Sequence, residues 1–123
     1  MLIIALIVNA AGFFLNWYDK FAWFDKVDHG FTTFALTLYL GFYLVGKVLT
    51  GSQRHRVLFV LVVASLGLAV GTVWEFAEWG YDEVVPGDNI KGKFDTITDL
   101  MMDTLGALLA GAACLGLARV KTS

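Results

Sequence analysis

Residues 57–74 read Val57-Leu58-Phe59-Val60-Leu61-Val62-Val63-Ala64-Ser65-Leu66-Gly67-Leu68-Ala69-Val70-Gly71-Thr72-Val73-Trp74, without one charge, and run into Glu75-Phe76-Ala77-Glu78-Trp79. A run of this length and apolarity fits a membrane-spanning helix, which needs about 20 mostly apolar residues. Two acids at its end are out of place in lipid, and intramembrane acids usually face a bundle interior or a water-filled cavity. Working outward, three more apolar stretches appear: Met1 to about Tyr18, Gly30 to Gly46, and Thr104 to Ala118. The last is short unless it begins near Asp99, which carries Asp99 and Asp103 into the outer layer of the membrane. The first lacks a basic leading segment and a small-x-small cleavage site, and so reads as a span rather than a secretory signal.

Composition agrees. The chain has 123 residues, enough for one domain, and is 58% hydrophobic and 16% charged. Soluble domains hold roughly 45–50% apolar and about 25% charged residues. One cysteine, Cys114, excludes an internal disulfide framework and any paired-cysteine zinc motif. A net charge of −2 excludes a basic nucleic-acid footprint, so no nucleic-acid partner is expected. The expected fold is all-α: a single integral membrane domain over 1–123, with four spans at about 1–18, 29–48, 57–79 and 99–118. Short connections between spans favour an up-down helix bundle.

The charges sort by side. Lys47, Arg54, Arg56, Arg119 and Lys121 lie at one end of the spans with no acidic neighbours, while all 11 acids lie at the other. Lys20, Lys26, Lys91 and Lys93 share the acidic side, the last two in mid-loop. The excess of Lys and Arg marks the cytoplasmic face, so both termini are expected inside and the acids outside. Trp17, Tyr18, Trp23, Trp74, Trp79 and Tyr81 form an aromatic belt at that outer level. A stacking lid for a sugar or lipid headgroup is a second use for the same rings. Gly67 and Gly71, in line with Glu75 and Glu78, favour close packing of spans three and four.

Three ionisable groups meet at one level. Asp25 and His29, spaced i,i+4 with Asp28 beside them, open span two; Glu75 and Glu78 close span three, and Asp82 continues the row; Asp95, Asp99 and Asp103 open span four. Side chains three or four apart share a helix face, so each group can point inward as a unit. Carboxylates with one imidazole suit a divalent metal, with oxygen for hard cations and nitrogen extending the choice to manganese, iron or zinc. The expected ligands are His29, Glu75, Glu78, Asp99 and Asp103, with Asp25, Asp28, Asp82 and Asp95 as a secondary polar cluster. The same residues could relay protons, or act as acid and base. They could also be a solvated face whose acids cap helices and pair with the nearby lysines.

The segments Trp74-Glu75-Phe76-Ala77-Glu78-Trp79, Phe94-Asp95-Thr96 and Asp99-Leu100-Met101-Met102-Asp103-Thr104-Leu105-Gly106-Ala107, with Asp25-Lys26-Val27-Asp28-His29-Gly30, resemble the YjdF-like family of bacterial inner-membrane proteins. A looser similarity is to VanZ-like membrane proteins, which share an Asp-Lys-x-x-His segment, a later Glu and an Asp-bearing final helix. The resemblance covers roughly residues 20–115 and implies a multi-pass protein of the bacterial inner membrane. It implies no chemistry, since the YjdF-like family has no known biochemical function. Two functions follow from the residues themselves. One is metal-dependent chemistry on a lipid or glycan headgroup at the outer leaflet. The other is a non-catalytic accessory or structural subunit whose polar cluster fixes helix packing. An ion carrier fits less well, because the acids gather at one side only. Four short spans bury little within one protomer, so a homo-oligomer or a larger membrane complex is expected in the lipid bilayer.

Overall fold

The computed structural model describes residues 1–45 and 56–120, and every described element is helical. Lys47, Arg54, His55 and Lys121 lie outside the described residues, as do the last residues of the second expected span. The elements are α1 (Leu2–Phe14), α2 (Trp17–Lys20), α3 (Ala22–Leu40) with a π-helical continuation Gly41–Val45, α4 (Arg56–Val84) and α5 (Lys93–Val120).

Two of the expected spans, Arg56–Val84 and Lys93–Leu117, are long and apolar enough to cross a membrane. The first expected span is divided. Asn16 adopts a left-handed conformation with φ 58°, a turn that asparagine tolerates better than most residues, and it separates α1 from α2. With 13 residues, α1 reaches about 20 Å at 1.5 Å per residue. The hydrocarbon core is about 30 Å thick. Helix α3 is 19 residues long, and its first turns carry Asp25, Lys26 and Asp28. It begins at Ala22, ahead of the expected boundary at 29, so the polar segment is itself helical.

Helix α4 runs unbroken because the single proline, Pro86, falls just beyond its end, where it can neither clash with a preceding turn nor remove a helical donor. The turn that follows is held by Asp82, whose carboxylate accepts the backbone N–H groups of Asn89 and Ile90 at 3.1 and 2.9 Å. Gly92, with φ 108°, then redirects the chain into α5, a conformation that glycine adopts without steric cost.

Register fixes the direction of each helix. Asn9 meets Asp28 and Thr32, while Gly12 lies under Phe24, so α1 runs antiparallel to α3. Gly67 faces Thr37 on α3 and Ala107 on α5, and Gly71 faces Asp103, so α4 runs antiparallel to both. Gly30 meets Met102 and Gly41 meets Cys114, so α3 and α5 run parallel. The direction therefore alternates along the chain.

The close pair expected from the glycines, α4 with α5, is present, but α5 packs still more extensively on α3. Gly106 explains this. A side chain there would strike the Gly30 carbonyl, so the two backbones touch with nothing between them, the arrangement that small residues permit in membrane helices. Buried positions on α5 recur as Asp99, Asp103, Gly106, Ala107, Ala110, Gly111 and Cys114. This is one helical stripe, acidic toward the N-terminal end of α5 and small toward its C-terminal end. The outward surface is apolar, with Val57, Leu58, Leu61, Leu105, Leu109 and Leu117 all exposed, as a lipid-facing surface requires.

Candidate metal centre

The acidic end of the α5 stripe meets the start of α3 and the end of α4. His29 lies at the junction, 8% exposed, and its two nitrogens face different helices. Nε2 is 3.8 Å from Asp25 Oδ1 on its own helix and 3.8 Å from Glu75 Oε1 on α4. Nδ1 is 3.4 Å from Asp103 Oδ1 on α5. Asp103 is fully buried and accepts the Thr33 hydroxyl at 2.6 Å. Thr33 lies one turn beyond His29, so α3 grips the Asp103 carboxylate with two side chains.

Glu75 is 4% exposed, and its Oε1 is buried without a hydrogen-bond partner. Burying a carboxylate oxygen in this way is costly, and native structures seldom leave one unmatched. Glu78, one turn further on, is half-buried and accepts the Trp74 indole N–H at 2.8 Å. Two sets of ligand atoms lie within 4.8 Å of one another: Asp25, His29 and Asp99, and His29, Glu75 and Glu78. Both contain His29, and neither contains Asp103.

One cation is already in place. Lys26 Nζ donates to Asp25 Oδ2 at 3.0 Å and to Asp99 Oδ2 at 2.8 Å, and it is also paired with Asp95. Asp99 Oδ1, buried and lacking a directed hydrogen bond, lies 2.7 Å from the same ammonium. It is therefore matched by charge rather than by a well-aligned bond. Asp25 is divided between the two halves, one oxygen toward Lys26 and the other toward His29.

The structure thus brings together His29, Glu75, Glu78, Asp25 and Asp99, with Asp103 behind the imidazole and Asp95 behind Lys26. Asp28 turns away. It accepts the Tyr18 hydroxyl at 2.6 Å and the Asn9 amide at 3.1 Å, and so ties α1 and α2 to α3. Asp82 serves the turn described above. The periodicity that grouped the acids could not separate them, because Asp28 and His29 are sequence neighbours that leave the helix about 100° apart. Lys26, Thr33, Tyr18 and Asn9 are the residues that spacing alone underplayed. Two of them carry a readable signal: Lys26 and Thr33 lie at i−3 and i+4 from His29, on its face of α3. Asn9 has a different one, as the only polar residue of α1.

The family described as "Predicted membrane protein (DUF2238)" matches residues 1–121. The chain belongs to this family. It is 37% identical over 102 residues to an uncharacterized protein of Thermotoga maritima, a match that covers 80% of this chain and 50% of the relative. The chain thus spans about half the length of that relative. No solved structure matches it. The DUF2238 assignment makes this a membrane protein; the YjdF-like resemblance fits it loosely, and the VanZ-like similarity has no support beyond the residues quoted above.

Proposed function

We propose that this DUF2238 protein binds one divalent cation between α3 and α4, with His29 Nε2, Glu75 and Glu78 as ligands and Asp25 and Asp99 at its edge. The observation that carries this reading is the buried Glu75 Oε1, which accepts no hydrogen bond and lies 3.8 Å from His29 Nε2. One nitrogen among several oxygens favours manganese, iron or zinc over calcium. Such an ion supplies a Lewis acid and an activated water, and the exposed Trp74 and Trp79 beside it would flank a lipid or glycan headgroup. The test is metal content of the purified full chain after equilibration with Zn2+ or Mn2+. The wild type should hold about one ion per chain; Glu75→Gln and His29→Ala should lose it, and Asp82→Asn should retain it. Equal, near-zero content in all four would end the reading.

The second reading, a non-catalytic subunit whose polar cluster fixes packing, is favoured by Lys26. Its ties to Asp25, Asp95 and Asp99 already join α3 to α5 without any added ion. Chelation that leaves the melting temperature unchanged would favour this alternative.

Orientation is part of the proposal: bacterial inner membrane, both termini cytoplasmic, and the His29 centre outward. The excess of Lys and Arg opposite the acids supports it. A cysteine at Gly87, in the exposed α4–α5 turn, should react with an impermeant maleimide in intact cells. Reaction only after permeabilisation would reverse the orientation.

A further inference from the structure

We infer that Asp103 is a positioning residue for His29, fixing the imidazole so that Nε2, and not Nδ1, is presented to Asp25 and Glu75. The inference rests on the cation reading above and deepens it by removing Asp103 from the ligands. A neutral imidazole carries one proton. With a cation at Nε2 that proton lies on Nδ1, where Asp103 Oδ2 at 3.5 Å accepts it, and the Nε2 lone pair is left for the opposite edge of the ring. That edge is where the Glu75 oxygen that accepts no hydrogen bond lies, at 3.8 Å. Metal-bound histidines ordinarily carry such a carboxylate on the second nitrogen.

Asp103 is built for this role and poorly placed for any other. It is fully buried, and its Oδ1 is held by Thr33 at 2.6 Å. Gly71 packs against it so closely that a Cβ there would lie 2.6 Å from its Cγ. A carboxylate held on one side by α4 and on the other by two side chains of α3 has no freedom to swing past the imidazole toward Glu75.

The test uses the full chain in detergent with Zn2+ as the probe, reading Zn2+ affinity, stoichiometry and the 15N signals of His29. The wild type should show a proton on Nδ1 with and without Zn2+. Asp103→Asn should weaken Zn2+ binding by about 10–100-fold at unchanged stoichiometry, as loss of a partner behind a ligating histidine does. Glu75→Gln should abolish stoichiometric binding. Thr33→Val, which only loosens Asp103, should weaken binding by less and broaden the same Nδ1–H signal; it decides the matter if Asp103→Asn does not fold. Loss of stoichiometry in Asp103→Asn would make Asp103 a ligand and overturn the inference. So would unchanged affinity and tautomer in both variants. A wild type that binds no Zn2+ but shows an Nδ1–H signal lost in Asp103→Asn would end the cation reading and leave the positioning role standing.

Discussion

Leucine at position 71 should strongly destabilise the protein and, with it, the His29 centre. The Cβ alone would lie 2.6 Å from Asp103 Cγ and 2.9 Å from Asp103 Cβ, well inside van der Waals contact. Asp103 cannot retreat without giving up Thr33 and its position behind His29. Overpacking of a tight core costs about 1–3 kcal/mol, occasionally more. The four heavy atoms of leucine, directed at a buried carboxylate, put the change at the upper end. Alanine should fall between glycine and leucine. The measurement is thermal unfolding of the three forms in one detergent, and a leucine form that melts with the wild type would mean that α4 does not pack on Asp103.

Replacing Lys26 by methionine should be the most damaging change outside the glycines. It removes the one cation shared by Asp25, Asp95 and Asp99 and leaves Asp99, with a side chain 3% exposed, beside two other acids. Breaking a buried ion pair from one side costs about 3–5 kcal/mol. Lys26 keeps 23% of its side chain accessible, and solvent screening brings the expectation toward about 2–3 kcal/mol. Arginine should recover most of the loss, since it restores the charge. Millimolar Mg2+ or Mn2+ should raise the melting temperature of the methionine form more than that of the wild type, because Asp25, His29 and Asp99 already present ligand atoms within 4.8 Å of one another. If methionine is tolerated at every ion concentration tested, the lysine is an ornament of the surface and the acids are stabilised by other means.

The membrane class of the chain and the grouping of its acids along single helices are legible in the residues alone. Apolar runs such as 57–74 and the paucity of charge exclude a water-soluble surface, and the i,i+4 and i,i+3 spacings of Asp25–His29 and Glu75–Glu78 place each pair on one helix face. Those are properties of a single helix, and a single helix is all that periodicity describes. Which acids share a neighbour is a property of helix rotation and separation, and these are set by contacts between helices. Gly106 brings the α5 backbone onto Gly30, and this close approach rotates Asp99 toward Lys26 and Asp103 toward His29 and Thr33. The division of one acidic stretch into three roles was likewise invisible locally: Asp28 is taken by Tyr18 and Asn9 across a chain reversal at Asn16, and Asp82 by a turn seven residues on. Two adjacent side chains on a helix point about 100° apart, so only the neighbours that the fold supplies decide which of them joins the centre and which holds the scaffold.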